Sequence, residues 1–288
     1  MDSCRIRASS VASFFDCPAR FASINLDHQR LPASAPARIG TAVHASTAAF
    51  DQAHGELSIE DTADVVLDAI LNPDEEVDWG GMPQRKAIEI GIGCHTKYCG
   101  EIGRHATYSY IEETLDDLTI SVPVMREDSL EIVLTGTLDR IRVVEGRQGV
   151  CDVKTGARAA SQAPGRHKAQ LGVYELLAAT QLEIDLELPA EIIGLQTSNN
   201  YDAVVHAVPG ARETLVGSEQ SPGLLTYMAD MLKRETFYGN PSSFLNLQFF
   251  QNTVRIGKTA NSGSHFGPGG DRILVQIPVT QLPKIGGG

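Results

Sequence analysis

The stretch Leu134–Gly156 reads LTGTLDRIRVVEGRQGVCDVKTG, and it decides the fold of this chain. Its residue pattern predicts one strand over Ile132–Val144 and a second over Gly149–Lys154. Between them, residues 145–149 (EGRQG) carry two glycines, which can take the positive φ that hairpin turns require. The stretch therefore predicts a β-hairpin.

Charged side chains share one face of this predicted hairpin. Strand side chains alternate between the two faces of a sheet, so Asp152 and Lys154 lie on one face. Cys151 and Val153 then point to the other face. Asp139, in the first strand, could face the Asp152 side. Two carboxylates on one patch repel each other unless a hard divalent cation offsets their charge, so the pattern indicates a metal site.

Two runs within the hairpin resemble a known family. GTLDRI (136–141) and VCDVKTG (150–156) closely resemble motifs II and III of the RecB-type branch of the PD-(D/E)XK nuclease superfamily, to which CRISPR-associated and phage exonucleases also belong. In that family an acid-x-Lys signature completes the set of active-site residues. The resemblance implies that the catalytic residues are Asp139, Asp152 and Lys154.

A helix is predicted over Arg38–Phe50 (RIGTAVHASTAAF), where Ile39 and Val43 mark an apolar face that also holds His44. A lone histidine in such a place is most often a hydrogen-bonded core residue. The run GTAVHA, however, resembles motif I of the family, in which the helix histidine joins the metal site. By this resemblance, Mg²⁺ or Mn²⁺ would be held by His44, Asp139, Asp152 and the carbonyl of Val153.

A further helix is predicted over Gln162–Thr180, with Gln170 and Tyr174 four residues apart on one face. HKAQLGVY resembles the Q-x-x-x-Y motif of the family, which borders the active site and contacts DNA. The alternative is a solvent-exposed glutamine beside a half-buried tyrosine.

The residues around this motif are basic. Residues 153–174 contain four basic side chains and no acid, as expected of a surface that follows a phosphate backbone. The alternative is a solvated loop that happens to be basic. Besides Lys154, these residues are Arg158, Arg166 and Lys168.

The net charge of −12 over 288 residues is unusual for a protein that binds a polyanion. Residues 51–80 hold ten acids and no Lys or Arg, so the rest of the chain has a net charge of only −2. The acidic segment could be a solvated surface, a partner-binding surface, or a barrier that keeps duplex DNA off one side.

The N-terminal segment 7–21 (RASSVASFFDCPARF) predicts a helix capped by Ser9 or Ser10, and it resembles the opening of RecB-type domains. Cys17 falls on a position that is one of four cluster ligands in iron–sulfur members. The other three lie near the C-terminus in those members, whereas this chain has no cysteine after Cys151. We therefore expect no iron–sulfur cluster, and a small buried thiol at Cys17.

Residues 51–106 predict an inserted, mostly helical arm, with a Ser-x-x-Asp helix start at Ser58. Within it, Cys94, His95 and Cys99 lack a fourth ligand at zinc-finger spacing, so no zinc site is expected there.

The next segment, 107–124, alternates like a strand pair or one interrupted strand. Either Glu112 or Glu113 could face the metal patch, and the spacing does not choose between them.

The remaining elements complete a fold prediction. Strands are expected over Glu191–Ser198 and Ala203–Val208, and a final helix over Gly223–Tyr238. Helices, three strands, a helix and further strands follow the order of the αβββαβ core of the superfamily. The predicted fold is thus mixed α/β and restriction-endonuclease-like, with a central mixed sheet flanked by helices. The nuclease domain would span 1–240, followed by a loop-rich extension over 241–288.

By resemblance, the chain is a metal-dependent DNA exonuclease, acting on linear or single-stranded DNA ends in recombination, repair or phage DNA processing. One alternative is a catalytically silent module that binds nucleic acid or a protein partner, against which the intact Asp139, Asp152 and Lys154 argue. Another is a sequence-specific endonuclease. DNA is the expected partner, and a recombination or helicase protein is a second candidate.

A cytoplasmic location in a bacterial or phage-infected cell is expected. No apolar stretch is long enough to span a bilayer, and the N-terminus lacks the apolar core of a signal peptide. The five cysteines have no disulfide-framework spacing, which fits a reducing compartment. Oligomeric state, cleavage polarity and strand preference leave no signal in the sequence.

Overall fold

A computed structural model gives the fold and describes residues 2–29, 31–124, 128–161, 164–198, 200–218, 220–240 and 273–275. The helices are α1 (Ala8–Asp16), α2 (Pro18–Phe21), α3 (Ala35–Gln52), α4 (Ile59–Leu71), α5 (Gln84–Glu101), α6 (Lys168–Gln181), α7 (Ala211–Val216) and α8 (Leu224–Lys233). The strands are β1 (Ser3–Arg7), β2 (Ala33–Ser34), β3 (Val77–Asp78), β4 (Tyr108–Val124), β5 (Asp128–Val144), β6 (Arg147–Gly156), β7 (Ala190–Gln196), β8 (Ala203–Val208), β9 (Gly217–Ser218), β10 (Ser221–Pro222), β11 (Thr236–Tyr238) and β12 (Ile273–Val275).

The chain divides into two compact units. The first contains the described parts of 1–30, 119–133 and 225–288, and the second contains those of 31–118 and 134–224. Strands β4 and β5 contribute residues to both. Every site residue expected from the sequence belongs to the second unit.

The second unit is built on a mixed sheet. Its strands follow the order β5-β6-β7-β8, and β4 also pairs with β5. The β5–β6 and β7–β8 pairs are antiparallel, whereas β6 and β7 are parallel. Helices α3, α4 and α5 pack with Cys151 and Val153 of β6 on one face, and α6, backed by α7, contacts β6 from the other. The expected α/β fold, with a central mixed sheet between helices, is confirmed.

The central hairpin is present, but its turn is shorter than the predicted 145–149. Only Glu145 and Gly146 separate β5 from β6, and both have positive φ, 51° and 81°. Positive φ at both central residues is typical of the tight hairpin turn whose twist matches the strands. Gly149 lies within β6 instead, where an added Cβ would come within 2.8 Å of the Cβ of Leu188. This glycine therefore allows a close approach of the chain and does not form the turn.

The predicted helical arm packs into the core of the second unit. Helix α4 begins with the expected capping box, in which Ser58 Oγ accepts from the amide of Asp61 and Asp61 Oδ2 accepts from the amide of Ser58. Val66 of α4 and Tyr98 of α5 are fully buried against α3 and the sheet. Burial of these side chains stabilises the packing of the predicted arm against the rest of the unit.

In the first unit, β1 pairs with β5. The N-terminal helical segment is interrupted at Cys17. The predicted single helix over 7–21 is wrong, because Pro18 disfavours helical backbone in the residue before it, and the chain breaks at Cys17 between α1 and α2. The predicted serine cap is also wrong. Arg7 is the N-cap residue, and Ser10 donates its hydroxyl to Oδ1 of Asn25 at 3.1 Å.

Two other helices differ from their predicted extents. A 3₁₀ turn over Pro164–His167 precedes α6, since proline suits the start of a helix and not its interior. The final helix, α8, ends at Lys233, soon followed by Glu235 in the left-handed conformation at φ 50°. Strand β11 then pairs in parallel with β12. The short helix α7 was not predicted.

Of the C-terminal extension, the structure describes Ile273–Val275, so the predicted loops and the domain boundary after residue 240 stay predictions. None of the described helices is long and apolar enough to cross a membrane.

Candidate active site

Strands β5 and β6 bring three of the predicted residues together. Their antiparallel register pairs Arg140 with Cys151, which sets Asp139 opposite Asp152 on the other face of the hairpin. The Nζ atom of Lys154 lies 2.6 Å from Oδ2 of Asp152. The two charges of the acid-x-Lys pattern are therefore in direct contact.

Helix α3 brings His44 to the same place. Nδ1 of His44 lies 3.3 Å from Oδ2 of Asp139, and the same oxygen accepts the amide hydrogen of Val153 at 2.7 Å. One buried carboxylate oxygen thus links α3, β5 and β6. For Val153, whose carbonyl was expected to bind the metal, the contact with Asp139 is made by the amide.

Strand β4 adds Glu112. One ligand atom from each of His44, Glu112 and Asp139 lies within 4.8 Å of the others, the only such trio of potential metal ligands among the described residues. Glu112 has φ 52° within the strand, a left-handed conformation that costs about 1–2 kcal/mol for a residue other than glycine. This irregularity breaks the strand alternation, which is why spacing could not choose between Glu112 and Glu113.

The donor set fits a divalent cation. An imidazole and two carboxylates suit Mg²⁺, which favours oxygen ligands, and Mn²⁺, which also accepts histidine. Asp152 lies beside this trio, with its carboxylate paired to Lys154.

Burial and charge shift the pKa values of the two aspartates in opposite directions. Burial acts to raise the pKa of Asp139, but His44 and Lys154 outweigh it and the pKa falls below its usual value. Burial raises the pKa of Asp152, Lys154 opposes that rise, and the charge of Asp139 adds to it. Two carboxylates at one site with separated pKa values are typical of a functional centre.

The pKa values of the other two candidate ligands, His44 and Glu112, are raised. For His44, burial lowers the pKa, but the charge and hydrogen bond of Asp139 outweigh burial. For Glu112, burial raises the pKa and Asp139 raises it further, whereas Arg140 opposes the rise. Asp139 thus favours the protonated form of His44, and protonated His44 would form an ion pair with Asp139.

Helix α6 presents Gln170 and Tyr174 to Asp152. Nε2 of Gln170 lies 3.2 Å from Oδ1 of Asp152 and 3.2 Å from the hydroxyl of Tyr174, and donates to both. Gln170 is 7% exposed and Tyr174 is 5% exposed. Gln170 thus contacts the Asp152 carboxylate, and Tyr174 contacts Gln170, whereas the expected contact of both residues with DNA stays a prediction.

The predicted basic residues do not all meet at the site. Arg158 is exposed in the turn that follows β6. Lys168 is about 200° around α6 from Gln170, and its Nζ lies 3.7 Å from where a Cβ on Gly210 would be. Lys168 thus faces away from Asp152. The side chain of Arg166 lies outside the described part of the protein.

The remaining candidate ligands are core residues. Nε2 of His95 lies 3.1 Å from Oγ1 of Thr62 and 3.0 Å from the carbonyl oxygen of Ile59. Burial raises the pKa of Cys94 and of Cys99, which opposes the thiolate form that zinc requires. Cys17 is buried, and the absence of an iron–sulfur cluster stays a prediction.

Sequence reasoning missed Arg140, which is fully buried beside Asp139. The signal in the sequence was weak, since Arg140 is a basic residue between the apolar Leu138 and Ile141, next to the predicted site residue Asp139.

Comparison with protein families identifies a superfamily for this chain. A model of the PD-(D/E)XK nuclease superfamily matches residues 5–243. No curated protein matches the chain. Because the family model covers most of the chain, including every described residue of the site, the protein belongs to the PD-(D/E)XK nuclease superfamily, which implies a divalent-metal-dependent nuclease.

Proposed function

We propose that this protein is a DNA exonuclease of the RecB-type branch. The observation that carries the proposal is the trio of His44, Glu112 and Asp139 beside the ion pair of buried Asp152 with Lys154. Such a pair supplies a fixed positive charge, and the candidate ligands supply a place for a divalent cation, both of which can stabilise charge that develops on a phosphate. The choice of branch and of exonuclease activity rests on the sequence motifs.

The metal would be held by His44, Glu112 and Asp139, with Asp152 and the Val153 carbonyl as the further ligands that the motifs imply. When bound, Mg²⁺ or Mn²⁺ supplies a Lewis acid for the phosphate and lowers the pKa of water. The residues present offer the nitrogen and oxygen donors that such ions accept.

Lys154 is the residue proposed to act on the phosphate. Its side chain is 24% exposed, while its partner Asp152 is buried. Asp152 and the strand fix the position of this positive charge, so it needs no rearrangement when negative charge builds up on the phosphate oxygens. Gln170 holds the other oxygen of Asp152 and so contributes to the same geometry.

DNA is the proposed substrate, as linear or single-stranded ends. Arg158 is exposed in the turn that follows β6, where it would attract the phosphate backbone. A recombination or helicase partner and a cytoplasmic location are further parts of this proposal that rest on the sequence alone.

The test is digestion of linear and closed-circular DNA, in double-stranded and single-stranded forms, with Mg²⁺ or Mn²⁺. An exonuclease digests the linear molecules and spares the circles, whereas cleavage of the circles would indicate an endonuclease. Lys154→Ala protein prepared in parallel controls for contaminating nucleases. Undiminished cleavage in excess EDTA would remove the metal mechanism, and Mn²⁺ binding without any cleavage would favour the silent binding module.

A further inference from the structure

Arg140 is the largest fully buried side chain among the described residues, with 0% of its surface exposed. It follows Asp139 directly in β5, so its side chain points to the opposite face of the sheet, where α3 and α5 pack. An interior position is unusual for arginine unless every donor is paired.

The guanidinium of Arg140 joins four groups. Nε donates to Oδ2 of Asp51 at 2.7 Å, and Nη1 donates to Oε1 of Glu112 at 2.9 Å. Nη1 also donates to the main-chain carbonyl of Asp139 at 2.8 Å, and Nη2 donates to Oγ1 of Thr47 at 3.3 Å. Arg140 is therefore bonded to two members of the metal-ligand trio, to Asp139 through its backbone and to Glu112 through its carboxylate.

Two tyrosines, Tyr98 and Tyr108, contact Asp51 and the Arg140 guanidinium. The Tyr98 hydroxyl donates to Oδ2 of Asp51 at 2.7 Å and lies 3.0 Å from the Tyr108 hydroxyl. The ring of Tyr108 lies 5.8 Å from the guanidinium carbon of Arg140, within reach of a cation–π interaction. Arg140 has little freedom to move.

Glu112 needs such a support. Its backbone is in the left-handed region at φ 52°, and one-third of its side chain is exposed. Its carboxylate lies close to that of Asp139, and like charges repel unless a cation lies between or beside them. Without a partner, the Glu112 side chain would be free to turn toward water.

We propose that Arg140 is a positioning residue that aims Glu112 at the metal site, with Asp51 as its counter-charge; this inference rests on the metal-dependent function proposed above. The guanidinium reaches Glu112 and Asp51 at once because its donors form a planar fork. Asp51 offsets the charge of Arg140, which would otherwise repel a divalent cation close by. The arrangement orders a ligand before the metal arrives.

The experiment measures Mn²⁺ affinity by titration calorimetry without DNA, so it does not depend on catalysis. The principal variant is the neutral pair Asp51→Asn with Arg140→Gln, which leaves no unpaired charge in the interior. Loss of a group that orients a metal ligand typically lowers affinity about 10–100-fold, and we expect a loss in this range. Arg142→Gln is the matched control, because Arg142 lies in the same strand and pairs with Glu191 at 2.6 Å, away from the trio. Its Mn²⁺ affinity should equal that of the wild type.

A double-mutant cycle separates positioning from general support of the fold. If Arg140 acts through Glu112, then in a Glu112→Gln background the neutral pair should lower Mn²⁺ affinity little further. If the neutral pair lowers Mn²⁺ affinity by the same factor in the Glu112→Gln background as in the wild type, the inference is overturned. Wild-type Mn²⁺ affinity in a folded neutral-pair protein would also overturn it.

Arg140→Lys is a second variant, for use if the neutral pair does not fold. It keeps the charge but not the fork, so it should also lose Mn²⁺ affinity, and full affinity would overturn the inference. Failure of the wild type to bind Mn²⁺ would instead refute the proposed metal-dependent function.

Discussion

The amide of Val153 donates a hydrogen bond to Oδ2 of Asp139 at 2.7 Å, and that oxygen also faces Nδ1 of His44 at 3.3 Å. Asp139 therefore has two tasks in one carboxylate. It satisfies a buried backbone amide of β6, and in the proposed site it would offer a ligand to the metal. These tasks can be separated by substitution.

Asp139→Asn should keep the first task and lose most of the second. An asparagine oxygen can still accept from Val153, whereas Asp139→Ala leaves that amide unsatisfied and should cost a further 1–3 kcal/mol or so of unfolding free energy. Both variants should bind Mn²⁺ more weakly than the wild type, and excess Mn²⁺ should partly restore digestion by Asp139→Asn. Denaturant unfolding and metal-titrated digestion measure the two effects. Equal stability of the two variants would contradict the structural task.

Lys154→Ala should lose activity without losing the metal. Removing one fixed charge that stabilises a transition state typically costs about a hundredfold or more in rate, and added Mn²⁺ should not restore it. Some stability should also be lost, because Asp152 is buried and loses the partner at 2.6 Å. Lys154→Met, which keeps the length of the side chain, is the control for packing. Near-normal digestion by a folded Lys154→Ala protein would refute the assignment of Lys154.

Gln170→Leu should lower kcat more than it raises the KM for DNA. The amide of Gln170 is buried and bonded to Asp152, so its loss should disturb the proposed catalytic carboxylate and not the proposed DNA surface. Arg158→Gln is the contrasting variant, since it should raise KM and reduce the salt dependence of binding by a slope of about 1. Steady-state digestion of labelled linear DNA at several salt concentrations distinguishes them. A pure KM effect in Gln170→Leu would favour the direct DNA contact that the Q-x-x-x-Y motif implies.

The metal-free protein should lose stability as pH rises above the histidine range. The pKa of His44 is raised above 6.5, so its contribution is complete below pH 6.5 and is lost as pH rises through the higher folded value. The pKa of Asp139 is lowered from 3.8, so its contribution is present above that value and is lost as pH falls through the lower folded value. In EDTA, this ion pair should therefore stabilise most between these two limits.

Melting temperatures from pH 3 to 9 check this expectation, with Asp139→Asn as the control that should lack the pair's contribution. As pH rises through the pKa of His44, the stability of the metal-free protein should fall, whereas its Mn²⁺ affinity should rise. A metal ligand must be unprotonated, so affinity should rise as His44 loses its proton. Affinity that does not depend on pH between 6 and 8 would argue against His44 as a ligand.

Local sequence determined the hairpin and its charged face. Alternation along a strand follows from backbone geometry alone, so the shared face of Asp152 and Lys154 could be predicted. The position of Asp139 opposite Asp152 depends on the register of the hairpin, which the two-residue turn sets and the predicted turn did not give. The capping box at Ser58 is likewise a property of four consecutive residues. The spacing of Gln170 and Tyr174 on one face of α6 follows from the helical repeat.

The tertiary structure decided what those residues contact. Glu112 rather than Glu113 joins the site because of one left-handed residue in β4, which no repeat predicts. Arg140 bonds to Asp51, 89 positions away, and to Glu112, 28 positions away. Lys168 is separated from the site by its rotation around α6, and the supposed arm is buried against α3 and the sheet. Local patterns specify the direction of each side chain, but burial and pairing of charges are set by packing between segments that are distant in the sequence.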